Sequence, residues 1–311
     1  MRRALPLLPA LAALLLLTAC GSERAGTPGT GEAAAPASPT TVTDPPVDGV
    51  RITSVTIPSA TPSPSSSSDR SSVHADPLTI GRDSGISAAY EVTNDATQAL
   101  TYTILFTFTD DAGGAMSNKE EIVGPVAPGA TVRRTVRLGE WAPGTSRVTR
   151  AKVGRVTKVP AAEAPSVSGD CPSSGIRVSA DDGDAAMGLR VVGLHLRNCG
   201  KRDYSLNGYP LLELLDDDLS PVDGVRIVHG SGGITTGTDF DAPARPLVLK
   251  PGESASSGLM WRNTTGFGTA VNVPHVRVRA EQGADPVIVT PHLDLGTTGK
   301  LAVRAWTRLP Q

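Results

Sequence analysis

Ten consecutive residues, Leu100-Thr101-Tyr102-Thr103-Ile104-Leu105-Phe106-Thr107-Phe108-Thr109, restrict the fold more than any other segment of the chain. Apolar side chains hold every even position and threonine nearly every odd one, a period of two that a strand places on one face and a helix does not. The pattern predicts a strand with one face in a core and one in water. Ile86, Ala88, Tyr90 and Val92 repeat the phase. Turn residues punctuate these runs at Asn94-Asp95, Asp110-Asp111-Ala112-Gly113-Gly114 and Pro128-Gly129, and several short strands at this spacing suggest a β-sandwich over residues 50–160.

Downstream, Ala161 to Ser168 is rich in Ala, Glu, Pro and Ser, and residues 161–170 read as an interdomain linker. Residues 171–311 return to strand periodicity: Val191 to Arg197, where Val192, Leu194 and Leu196 share a face, then Leu211 to Leu215, Gly258 to Trp261, Val276 to Ala280 and Leu301 to Trp306. Glycine and proline turns separate nearly all of them, and no convincing amphipathic helix intervenes. A chain of 311 residues accommodates two domains plus tails. The expected architecture is therefore all-β, two antiparallel β-sandwich domains in tandem.

Two resemblances refine this. Tyr90-Glu91-Val92-Thr93-Asn94, with Val126-Ala127-Pro128-Gly129 before a strand, resembles small immunoglobulin-like domains of bacterial envelope proteins, which implies a spacer or binding module. Asn198-Cys199-Gly200, Leu206-Asn207-Gly208-Tyr209-Pro210, Leu249-Lys250-Pro251-Gly252-Glu253-Ser254-Ala255 and Trp261-Arg262-Asn263 together resemble the actinobacterial domain-of-unknown-function family 4232. That likeness runs from Cys171 to the carboxyl end and implies an exported protein without an established activity. Both Pro-Gly segments also read simply as tight turns, because proline presets one torsion and glycine permits the next.

At the amino end, Arg2 and Arg3 precede an apolar stretch that closes on Leu17-Thr18-Ala19-Cys20. This resembles the lipobox of bacterial lipoproteins: residues 1–19 an export signal, Cys20 the lipid attachment site. The stretch is interrupted by Pro6 and Pro9 and falls short of the ~20 residues a spanning helix needs. The resemblance implies two acyl chains on the Cys20 thiol and a cell-membrane location facing the extracytoplasmic side. With Cys20 lipidated, the other two of the three cysteines, Cys171 and Cys199, are left to form a disulfide in an oxidising compartment; two separate buried thiols are the alternative. Residues 20–49, almost free of large apolar side chains, read as a disordered tether, and residues 58–75 as a Ser/Pro-rich loop.

Candidate chemistry is sparse. Lys plus Arg number 29 against 31 Asp plus Glu, which offers no global electrostatic case for nucleic acid. His195, His229, His275 and His292 lack any HExxH, CxxC or His-x-His spacing, so no metal and no cofactor is expected. Asp181-Asp182-Gly183-Asp184 and Asp216-Asp217-Asp218 do not complete a calcium loop. Gly252-Glu253-Ser254-Ala255-Ser256 lacks the second glycine of a nucleophile elbow, and His229-Gly230-Ser231-Gly232-Gly233 lacks the lysine of a phosphate loop. Arg133, Arg137, Arg150 and Lys152 are the best surface candidates, a basic face for an anionic envelope polymer. The functional expectation is a non-catalytic binding or structural module, bound to membrane lipid through Cys20 and to a polymer or another envelope protein; an envelope hydrolase is the alternative.

Overall fold

The structure, a computed structural model, describes residues 38–58, 82–141, 147–166 and 169–310. The signal, Cys20, the tether up to residue 37 and all of the Ser/Pro-rich loop but Pro58 lie outside the described residues. Where the tether is described, it is folded. Strand β1 (Thr40–Thr41) pairs with β2 (Val50–Thr56), and Val42 packs against the core. The expectation of a disordered tether through Gly49 is thus corrected at its end, because Val42 supplies an apolar contact and Val47 a backbone bridge to Val50 that the Pro/Thr composition hides.

Among the described residues, nine strands, β1 to β9, build the first sandwich. After β2 come β3 (Arg82–Asp83), β4 (Ser87–Thr93), β5 (Leu100–Thr109), β6 (Ala115–Val126), β7 (Thr131–Arg137), β8 (Glu140–Trp141) and β9 (Arg150–Pro160). One sheet has the order β1-β2-β4-β7 and the facing sheet the order β6-β5-β9, with β3 and β8 paired apart from them. The even-numbered side chains of β5 meet Ile52, Ala88, Tyr90, Val92 and Val136 in one core. Tyr90 and Phe106 lie with ring centroids 4.6 Å apart, within the range of favourable aromatic pairs. The odd face of β5 departs from expectation: Thr107 and Thr109 are buried. On the neighbouring β9, Thr157 and Val159, opposite Thr103 and Thr101, are buried too.

The second sandwich comprises β10 (Ile176–Ala180), β11 (Asp184–Ala186), β12 (Leu189–Asn198), β13 (Tyr204–Leu206), β14 (Leu211–Leu215), β15 (Arg226–His229), β16 (Leu247–Leu249), β17 (Ser254–Arg262), β18 (Val271–Val273), β19 (His275–Arg279), β20 (Val287–Val289), β21 (Leu293–Gly296), β22 (Lys300–Val303) and β23 (Thr307–Arg308). Its larger sheet runs β10-β12-β17-β22-β15. The opposite side is made by β13-β16 and by β14-β19-β20. This sandwich is not purely antiparallel, since β15 runs parallel to β22. A covering segment explains why β17 is buried along nearly its whole length: Phe240, in a single 3-10 turn at Asp239–Asp241, packs on Met260 and Ala302 on the face away from the main core.

One local structure occurs in both sandwiches. At the end of β4, Asn94 Nδ2 donates to Gln98 O and Val126 O, both at 2.8 Å, while its Oδ1 accepts from Ala96 N. At the end of β12, Asn198 Nδ2 donates to Arg202 O and Leu249 O, both at 2.8 Å, while its Oδ1 accepts from Gly200 N. The backbones agree as well: Gly129 N donates to Asn94 O and Gly252 N to Asn198 O, each at 2.7 Å. Both asparagines are buried, so each amide satisfies main-chain groups that the turn would otherwise strand away from water. The pairings around them also correspond. β4 pairs with β2 and β7 as β12 pairs with β10 and β17. β5 pairs with β6 and β9 as β13 pairs with β16 and β14 with β19. The second copy interrupts the strand equivalent to β5 at Asn207-Gly208-Tyr209-Pro210, where proline cannot donate to a ladder.

The linker is docked. Ile288 N donates to Glu163 O at 2.7 Å, and the Glu163 carboxylate takes Arg277 Nε at 2.6 Å. Val159 of the first sandwich joins Leu215 and Ile288 of the second, with Ala164 against them.

Candidate functional site

Cys171 and Cys199 form a disulfide with Cα atoms 5.7 Å apart. It joins the segment leading into β10 to the turn that follows Asn198, and Cys199 N and Gly200 N both donate to Gly175 O. Two of the chain's three cysteines are thereby used.

The four basic candidates do not share a face. Arg133 and Arg137 lie on β7, the edge of the first sheet, whereas Arg150 and Lys152 lie on β9 in the facing sheet. Arg133 Nε is bound to Glu91 Oε1 at 2.8 Å, and the same carboxylate takes Arg51 at 2.8 Å. Hydrogen bonds from these two guanidinium groups hold Glu91 below the usual carboxylate range. Alternation does align Arg133 and Arg137, but it cannot reveal that a sandwich separates β7 from β9. On β9 the register places Arg150, Lys152 and Arg155 opposite Thr109, Thr107 and Leu105, a row of three exposed cations along one face. The acid placed across that face is Glu120, also opposite Leu105.

At the end of that row lies a polar cleft of about 180 Å³ between the two sandwiches. Thr103, Thr157, Glu120 and Arg155 line it from the first, and Asp181, Asp182, Thr290 and His292 from the second. His292 has φ 49°, a left-handed conformation uncommon for residues other than glycine. Burial, then the nearby Arg155 and His275, push the His292 imidazole below its usual pKa. Asp181 is engaged by neighbours: its Oδ1 accepts from Gly183 N and Gly193 N, and its Oδ2 lies 3.0 Å from His195 Nε2. A larger cleft, about 560 Å³, is lined by Ala164, Ile176, Val178, Tyr204, Asp285 and Val287 among others. Burial, with Glu281 and Asp285 alongside, raises the Tyr204 phenol to about 12.

The remaining candidates are dispersed. His229 stacks on Tyr209 at 3.8 Å between centroids. His275 is buried with its Nδ1 unpartnered. Asp216 Oδ1 closes a turn by accepting from Asp218 N and Ser220 N. The Gly230-Ser231 backbone is held by Asp241, whose Oδ1 accepts from Ser231 N at 2.8 Å. Glu253 Oε2 accepts from Lys250 N at 2.7 Å, bracing its Pro-Gly turn. Among the described residues no group of three or more His, Cys, Asp or Glu is placed to hold a metal ion.

The cleft escaped the sequence because its residues come from five separated segments. Only the shared face of Thr103, Leu105 and Thr157 hinted at it, once β5 and β9 are paired. A comparison with curated proteins finds no match. Residues 171–307, which carry the second sandwich with its disulfide and Asn198 corner, match the family model described as a domain of unknown function, DUF4232.

Proposed function

We propose that the protein is an extracytoplasmic lipoprotein, anchored through Cys20, that acts as a non-catalytic binding module of the cell envelope. The observation that supports this best is the disulfide between Cys171 and Cys199. It favours an oxidising compartment and leaves Cys20 as the one remaining thiol of the chain, at the position a lipid would take. The binding surface is the β9 row of Arg150, Lys152 and Arg155 with the adjoining polar cleft, rather than β7, where Glu91 already neutralises Arg133. Diffuse positive charge of this kind suits an anionic envelope polymer.

Mass spectrometry of the native amino terminus tests the anchor. A diacylglyceryl-modified Cys20 is expected, and release of unmodified protein without detergent contradicts it. For the surface, a charge reversal at Arg150 and Lys152 is expected to abolish salt-dependent retention on anionic wall polymer, while the same reversal at Arg133 and Arg137 has a smaller effect. Retention that ignores salt, or that depends only on the β7 pair, rejects the assignment.

A further inference from the structure

The two sandwiches treat one sheet edge differently. In the second, Cys199 N donates to Gly175 O and Asp181 N to Gly193 O, which fixes the phase of the ladder between β10 and β12. The odd residues of β10 bond to β12, and the even ones turn their N–H and C=O groups to the free edge of the sheet. Ser174 Oγ takes up Ile176, accepting from its N–H and donating to its carbonyl, both at 3.3 Å. On that side Val178 and Ala180 have no partner among the described residues. Val178 is the counterpart of Val50: it lies opposite Leu196, just short of Asn198, as Val50 lies opposite Val92, just short of Asn94. In the first sandwich this position is closed. Val47 N donates to Val50 O at 2.8 Å and Val50 N to Val47 O at 2.9 Å, and Val42 of the same segment packs against the core. The shared frame therefore accepts extended chain at this place, and the second copy leaves it open.

Beside the open edge is the cleft of about 560 Å³, with Ile176 and Val178 of β10, Val287 of β20 and Tyr204 of β13 among its walls. The β20 edge is already taken by the linker, through Ile288 N and Glu163 O. A strand added to β10 sends every second side chain between the two sheets, which is where this space lies. The charges in it have one sign. Glu163 is bound to Arg277, and Arg279 holds the turn after β19 by donating to Ala284 O at 2.6 Å. Asp285 lines the cleft, and Glu281 stands with it beside Tyr204. Among the described residues no Lys or Arg lines the cleft; Lys201 and Arg202 border the adjoining cavity, together with Asp203. A basic side chain fits such walls, its apolar stem against Ile176 and Val287 and its head at the carboxylates and the Tyr204 ring.

We propose that the open edge of β10 binds an extended peptide segment of a partner protein by strand addition, with a lysine or arginine of that segment entering the cleft beside Asp285 and Glu281. Main-chain bonds to Val178 and Ala180 supply the attachment, and the acidic cleft selects the side chain. The site is separate from the β9 surface, so it stands or falls independently of polymer binding and of the anchor.

The test uses the full chain in mild detergent and a labelled seven-residue peptide with threonine at its odd positions, valine at the second and sixth and lysine at the fourth. Fluorescence anisotropy is expected to show binding, weaker by about 10-fold when glutamate replaces the lysine. Asp285→Lys, at an exposed position, should reverse that preference. Methylating either the odd or the even peptide amides tests the ladder, since only one set faces β10; one form should lose binding and the other keep it. Hydrogen exchange at the Val178 and Ala180 amides should slow when the peptide is bound. Absence of binding, equal binding by the two methylated forms, or unchanged exchange at those amides overturns the proposal. Equal affinity for the lysine and glutamate peptides overturns the acidic contact. Displacement of the peptide by an equal concentration of n-butylamine overturns the peptide as occupant, because the cleft then takes a small cation. So does dimerisation of the chain alone with the same two amides protected, because a second copy then fills the edge.

Discussion

The two sandwiches share a frame and differ in what has been added to it. Each turns on a buried asparagine that gathers a strand end and a Pro-Gly turn into one hydrogen-bonded corner, and the ladders flanking that corner correspond pair by pair. Around that frame the first copy carries β1 and the β3–β8 pair, whereas the second carries β11, β15 and β18, a disulfide beside the corner, a covering segment with Phe240, and a carboxyl-terminal extension from β20 to β23. The additions all lie where the frame leaves sheet edge or sheet face open, which is where extra chain can pack without disturbing the shared ladders. Function-bearing differences are therefore sought in the additions and in the faces between copies, while the corners are architecture.

The largest expected difference between the copies follows from the covalent link. Replacing Cys171 and Cys199 together by Ala should cost the second sandwich about 3.5 kcal/mol, the chain-entropy value for a loop of this length, and leave the first nearly untouched. Two-probe urea unfolding, with Trp141 reporting the first sandwich and Trp306 the second, measures this; equal losses in both would mean that the sandwiches unfold as one unit. Next in size, Asn94→Ala and Asn198→Ala should each destabilise their own sandwich by about 3 kcal/mol, because several buried main-chain groups lose their partners. A marked inequality would show that the corners are alike in geometry only.

Acid should separate the copies again, more weakly. Burial lowers the pKa of both His275 and His292, while the described residues of the first sandwich contain no histidine. A histidine whose folded pKa is lowered leaves stability intact above its unfolded value near 6.5, and the unfolded chain takes up protons preferentially as the pH falls below it. The second sandwich should thus lose stability as the pH falls below about 6.5, and a His275→Asn, His292→Asn chain should show a flatter profile. An unchanged profile would assign the acid response elsewhere. Smallest of all, Arg133→Ala should leave the unfolding midpoint where it is, since the group is largely exposed and screened.

Much of this frame was legible in the sequence. The period-two run of β5, the in-phase Ile86, Ala88, Tyr90 and Val92, and the Pro-Gly turns place the strands that form the cores, because burial of alternate side chains leaves a direct imprint on residue order. Both asparagines and both Pro-Gly pairs were visible too, yet their equivalence was not. The chain between Asn198 and Pro251 is longer than that between Asn94 and Pro128, and an insertion of that length conceals a repeat when residues are compared in order. The strand predicted at Leu301 to Trp306 ends at Val303, since apolar continuity says nothing of where a ladder stops. The candidate surface was half legible: alternation aligned Arg133 and Arg137 on β7, but residue order could not tell that Arg150 and Lys152 belong to a different sheet. The polar cleft needed the docking of one sandwich on another, which has no periodicity to read.

That docking has a further consequence. Glu163 is held twice, through its backbone by Ile288 and through its carboxylate by Arg277, so the hinge region carries a clasp rather than a swivel. With the sandwiches joined in this way, the polar cleft between them keeps a fixed width, and a pull on the β1 end of the chain passes straight to the second sandwich.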